Sequence, residues 1–183
     1  MFGFLSGLLP CLRPTQQSKI LEDELSQKSP LIRDKCIFCH ATPQNGFNVV
    51  WEDEAFIAFK DHKPASMHHF LVITKAHVES VRTLQKSDVP LITSMKTIGD
   101  KLLDDLDVPS SMRRMGFHIP PFNSVYHLHL HVQGLPYTGF DRGVKYPIAR
   151  GRGSHQKGFS WFAEVDQSIR ILEQGKHIGV FPC

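Results

Sequence analysis

The run His127-Leu128-His129-Leu130-His131-Val132 constrains this chain more than any other feature. In an extended strand successive side chains point to opposite faces, so the three histidines would share one face while Leu128, Leu130 and Val132 enter a core on the other. Neighbouring imidazoles repel when charged. A row of them costs stability unless it holds a metal or an anion, so the row marks a functional site.

The segments around this run fit a sheet. Val49–Trp51, Ala55–Lys60 and Phe70–Thr74 are short and rich in β-branched or aromatic residues, which predicts three strands, with 61–68 as a longer connection. Leu91, Met95, Ile98, Leu102 and Leu106 recur at helical spacing and predict one long helix over 87–106. Ser87 suits its N-cap, and Pro109 lies just past its end. Arg113–His118 and Val125–Gln133 complete a set of five strands, with Pro120 and Pro121 confined to the loop between them. A loop rich in Gly and Arg covers 134–158. A second helix over 160–174 would bury Phe162, Val165, Ile169 and Leu172 and stop at Gly175. The expected fold is therefore α+β: an antiparallel five-stranded sheet with one long helix and a C-terminal helix. Three regions follow: an apolar, flexible tail over 1–32, the main domain over 33–135, and a basic Gly-rich loop with its helix over 136–183, packing on that domain.

With 183 residues, 41% of them apolar and 21% charged, the chain suits one globular domain and not a fibrous or disordered protein. The most apolar stretch, Met1–Leu12, is interrupted by Ser6, Gly7 and Pro10, too soon for a membrane span, and it lacks the basic start of a secretory signal. Its Phe2, Phe4, Leu5 and Leu8 would instead dock on the domain, on a partner or on a membrane surface. Cys11, Cys36, Cys39 and Cys183 do not make a disulfide framework, so a reducing intracellular compartment is expected. A net charge of +3 is too small to mark a nucleic-acid binder.

Two chemistries could use the histidine row. Neutral imidazoles ligate zinc, although alternate residues on a flat strand stand about 6.5 to 7 Å apart and would have to lean inward. An imidazole can also attack phosphorus while its neighbours hold the oxygens. The spacing alone leaves both open.

The flanks carry a resemblance. Ser124-Val125-Tyr126 followed by His127, His129 and His131 resembles the signature of the histidine triad superfamily. The upstream runs Cys36–Cys39, Ala58–Asp61, His68–Ile73 and Lys75–Val78 stand in the order and spacing of that family, so the likeness spans about 35–135. Met115–Phe122 resembles its Hint branch, in the group that holds Hint protein 3 and aprataxin.

That resemblance implies a nucleotide hydrolase cleaving the P–N bond of adenosine 5′-monophosphoramidates, and acyl-adenylates, to release AMP. His129 would be the nucleophile, forming an adenylyl-histidine that water hydrolyses, and His131 would donate to a phosphate oxygen. His127 and Ser124 would complete the catalytic set. Asp61 would accept hydrogen bonds from the ribose hydroxyls, with His62 bordering the sugar, Phe38 and Phe59 on the base, and Asn123 beside Ser124 in the nucleotide site. Cys36 and Cys39, with His77 and His127, would form a structural zinc site, and no cofactor would be required for the chemistry. The family further implies a homodimer, in the cytoplasm and also the nucleus.

Two other functions compete. A DNA 5′-adenylate hydrolase of the aprataxin kind would use Arg142, Lys145, Arg150, Arg152 and Lys157 as a basic loop. A non-catalytic nucleotide- or zinc-binding adaptor would work through the apolar first residues. The sequence also departs from the family pattern: Gln133 follows Val132 where a second apolar residue is expected, and Pro120, Pro121 and Phe122 replace a glycine-rich approach to Ser124.

Overall fold

The computed structural model describes residues 34–183; the expected tail over 1–32 lies outside them. Residues 36–183 form one compact unit. Its strands are β1 (Val49–Glu52), β2 (Phe56–Lys60), β3 (Ser66–Thr74), β4 (Arg113–His118), β5 (His129–Tyr137) and β6 (Phe162–Glu164), with helices α1 (Val89–Asp104) and α2 (Val165–Glu173). The sheet runs in the order β1-β2-β3-β5-β4-β6, and every neighbouring pair is antiparallel.

The sheet thus has six strands rather than five. Phe162, Ala163 and Glu164 fit the helical period of the residues after them, yet they pair with His118, Phe117 and Gly116 at the sheet edge. Pairing exposes nothing apolar there, because Phe162 and Ala163 are fully buried. Glu164 then caps α2 by accepting from the N–H groups of Asp166 and Gln167, which starts the helix five residues later than the sequence predicts. At the other end Gly175, with φ of 69°, and Lys176 donate to Leu172 and Ile171, the paired closure that a left-handed glycine permits.

Other boundaries move as well. β3 begins at Ser66, which shortens the connection before it, and β5 runs from His129 to Tyr137 instead of 125–133. α1 begins after Asp88, not at Ser87, because the Asp88 carboxylate accepts from the Gln85 N–H and closes a short 3-10 turn ahead of it. Of the expected helix face, Met95, Ile98 and Leu102 are buried, Leu91 is half-buried and Leu106 is exposed, while Ile92 and Leu103 enter the core.

The two sides of the sheet differ, as the alternation requires. Leu128, Leu130 and Val132 join Phe70, Val72, Met115 and Phe117 beneath α1 and α2 in the larger core. Cys36, Phe38 and Ala41 come from the segment ahead of β1. They pack against Ile57, Phe59, Leu71 and Ile73 on the opposite face, beside the histidines. No helix among the described residues is long and apolar enough to cross a membrane.

Candidate active site

His129 and His131 lie on β5, His129 opposite Ile73 and His131 between Leu71 of β3 and Gly116 of β4. His127 precedes the strand, so the expected three-residue row on one strand is two residues on β5 and one before it. The direction survives because the Leu128 N–H donates to the Val78 carbonyl at 2.7 Å and holds the approach to β5 extended. All three imidazoles are buried.

A carbonyl can only accept, so each carbonyl contact decides a tautomer. His129 Nδ1 lies 2.6 Å from the His127 carbonyl and donates to it, leaving the lone pair on Nε2. Burial holds this imidazole neutral, at a pKa of about 4 against the bond to the His127 carbonyl, which raises it. A neutral ring with its free nitrogen aimed away from the backbone is a nucleophile.

His131 is held on both sides by histidines to which sequence reasoning assigned no chemistry. His69 Nε2 lies 2.9 Å from its Nδ1, and His118 Nδ1 lies 3.0 Å from its Nε2. His69 Nδ1 accepts the Ala65 N–H at 3.1 Å, and His118 Nε2 donates to the Lys145 carbonyl at 2.8 Å. Burial lowers all three, His69 to about 4 and His131 well below its ordinary value. A signal existed for His69 and His118. Each is a polar residue at the end of an apolar strand segment, but their convergence depends on strand register.

The nucleotide candidates separate into two groups. Asp61 follows β2 and directs a carboxylate oxygen to within 3.5 Å of His69 Nε2, while the other accepts the Lys63 N–H at 2.8 Å. Phe38 stacks edge-on against both His129 and Phe59, with centroids 5.4 Å apart in each case. Asn123 lines a small cavity with Ser80, Val81, His118 and His129, and its Oδ1 is buried there without a partner. In contrast, the side chain of His62 is 82% exposed, and Ser124 is exposed and outside that cavity.

The second constellation is also assembled. Donor atoms of Cys36, Cys39, His77 and His127 all lie within 4.8 Å of one another. His127 donates from Nε2 to the Thr74 carbonyl at 2.8 Å, so its bare Nδ1 faces Cys36 Sγ at 3.3 Å and Cys39 Sγ at 3.6 Å. A carbonyl that fixes the far nitrogen of a ligand histidine is the usual outer support of a metal site. This set fits a metal ion. Asp61, His69 and His131 also cluster, but both nitrogens of each imidazole are already hydrogen-bonded.

Of the basic loop, Arg150 and Arg152 are exposed, but Lys157 is not solvated. It is fully buried and donates to the carbonyls of Gly158, Ser160 and Val180 at 2.7 to 3.1 Å. Its ammonium pins the chain between β5 and β6 to residue 180.

Fold and site together define a histidine triad protein. A family model described as scavenger mRNA decapping enzyme C-term binding matches residues 35–145. Adenosine 5′-monophosphoramidase HINT3 of Xenopus tropicalis is 42% identical over 142 residues, 75% of this chain and 87% of that protein. The bifunctional adenosine 5′-phosphosulfate phosphorylase/adenylylsulfatase HINT4 of Arabidopsis thaliana is 43% identical over 118 residues, covering 63% and 80%. Aprataxin of Danio rerio is 30% identical over 134 residues but is covered for only 38% of its length. Among solved structures, a HIT family hydrolase from Legionella pneumophila Philadelphia 1 matches over 60% of this chain and all of its own, at 27% identity and a TM-score of 0.53. The chain belongs to the histidine triad superfamily.

Proposed function

We propose that the protein hydrolyses adenosine 5′-monophosphoramidates, and acyl-adenylates, to AMP. The observation that carries this reading is the 2.6 Å contact of His129 Nδ1 with the His127 carbonyl, which leaves Nε2 to attack the α-phosphate. The P–N bond breaks as the N–P bond to His129 forms, the amine takes up a proton, and water then cleaves the adenylyl-histidine. His131 supplies an N–H to a phosphate oxygen and Asp61 accepts the ribose hydroxyls. Relatives named as an adenosine 5′-monophosphoramidase and an adenylylsulfatase support the substrate class.

The decisive experiment is intact-mass spectrometry after mixing with adenosine 5′-monophosphoramidate. Wild type should show a transient AMP adduct; His129→Ala should show none and should lose at least about a thousandfold in turnover. Full activity in that variant sinks the mechanism. Binding of AMP with no adduct and no turnover in wild type would favour the adaptor, and preferential turnover of 5′-adenylated DNA would favour the aprataxin-like reading.

The Cys36, Cys39, His77 and His127 set would hold zinc, supplying structural rigidity by tying the segment ahead of β1 to His127, two residues before His129, and no chemistry at phosphorus. Two family expectations complete the proposal: a homodimer, checked by sedimentation, and a reducing cytoplasmic or nuclear location, where the two thiols stay available to metal. Fractionation with secreted material would overturn the latter.

A further inference from the structure

We propose that the segment after β5 completes the active site from within the same chain: the Lys145 carbonyl and the Tyr146 ring hold His131, through His118, neutral with its proton on Nε2. This deepens the function proposed above and rests on it for its catalytic meaning.

Four contacts run in series: Ala65 N–H to His69 Nδ1, His69 Nε2 to His131 Nδ1, His131 Nε2 to His118 Nδ1, and His118 Nε2 to the Lys145 carbonyl. The backbone fixes both ends, a donor at Ala65 and an acceptor at Lys145. The first contact therefore needs a bare nitrogen and the last a protonated one, while each contact between imidazoles takes a single proton. The chain is satisfied by three protons on three rings, which makes every ring neutral. A fourth would set two donors face to face in a buried site.

Without the Lys145 carbonyl the His118 Nε2–H would lose its acceptor, and the ring would no longer be held with Nδ1 turned toward His131 Nε2. In the free enzyme the His131 Nε2–H donates a hydrogen bond to His118 Nδ1. A phosphate oxygen arriving at His131 finds that N–H already oriented.

Tyr146 shields the inner contacts from water, while His118 is half-buried and its contact with Lys145 lies at the surface. Its ring is buried, with centroids 5.1 Å from His118, 5.3 Å from His131 and 5.7 Å from His69. Arg114 donates to the Tyr146 carbonyl at 2.9 Å, and the Tyr146 N–H donates to Gly143, so the backbone that presents Lys145 is held on both sides. The groups facing the chain are Asp61 after β2, His129 on β5, and the Lys145 and Arg142 side chains of the segment itself, with Tyr137 stacked behind Tyr146. Burial outweighs Asp61, the only anion among them, and keeps His69 at about 4.

The test uses the full chain and two readouts. In wild type, 15N imidazole spectra should show His69, His131 and His118 as neutral Nε2–H rings, none titrating near the ordinary value of about 6.5. Tyr146→Leu admits water. His118 and His131 should then titrate near that value, and kcat/KM for adenosine 5′-monophosphoramidate should fall about tenfold more from pH 8 to pH 5.5 than in wild type. Tyr146→Phe keeps the ring and should restore the wild-type profile. A wild-type spectrum with His118 as Nδ1–H, or titrating near 6.5, overturns the inference without any variant. Parallel pH profiles in Tyr146→Leu and wild type also overturn it. An inactive wild type with the expected spectra would overturn the hydrolase reading while supporting this chain of contacts.

Discussion

His127 donates from Nε2 to the Thr74 carbonyl at 2.8 Å, and that one bond turns its Nδ1 toward two thiols. The same residue offers its own carbonyl to His129, so the metal candidate and the proposed nucleophile share a backbone unit.

From this follows a metal prediction. Protein purified with zinc present should carry about one ion per chain by elemental analysis, and Cys39→Ser should lose it. Chelation should lower the melting temperature by about 5 °C or more, since about 1 kcal/mol moves a domain of this size by 2 to 4 °C. Wild type that retains no zinc after dialysis refutes the assignment.

Acid should destabilise the metal-free protein through its histidines. His69, His127 and His129 are lowered from 6.5 to about 4, so the unfolded chain binds protons that the folded chain does not. Their stabilising effect is complete above about 6.5 and declines as pH falls toward 4. Each contributes a slope of up to about 1.4 kcal/mol per pH unit in that window. Urea midpoints at pH 7, 6 and 5 check this, and a flat response would contradict it.

Leu130 points away from the histidines into the core and is fully buried. Leu130→Ala should cost about 2 to 5 kcal/mol of unfolding free energy, the range for a buried leucine left as a cavity. A loss below 1 kcal/mol would mean that the strand is not packed between α1 and the sites.

Gly116 sits opposite His131, and a Cβ there would strike the Ala163 carbonyl and lie 2.6 Å from the Phe162 ring. Gly116→Ala should therefore loosen β6 and lower stability by about 1 to 3 kcal/mol. An unchanged melting curve would show that β6 does not bind β4 this closely.

Asp61 should act on binding rather than chemistry. Asp61→Asn removes a charged acceptor worth about 1.5 to 3 kcal/mol, so KM for adenosine 5′-monophosphoramidate should rise about tenfold or more with kcat little changed. An equal loss in kcat would assign the carboxylate to the His69–His131 pair instead.

Much of this site was legible in the residues. Alternation placed Leu128, Leu130 and Val132 in the core because a strand has only two faces. The CxxC pair had the spacing of metal ligands, and the fold brings it together with His77 and His127. β6 was hidden because Phe162-Ala163-Glu164 satisfies a helical period equally well, and its edge pairing is a tertiary choice. Ser124 and His62 matched a pattern, and both stand exposed, where a motif position does not set a rotamer or a loop path.

What the sequence determined by itself was the face on which chemistry would occur, for the period of a strand is a local property. What only the tertiary structure decided was the proton on each ring. His131 takes its neighbours from β3, β4 and, through His118, from Lys145. Those donors and acceptors meet through strand register and burial across the whole domain, and no spacing along the chain encodes which nitrogen will face which carbonyl.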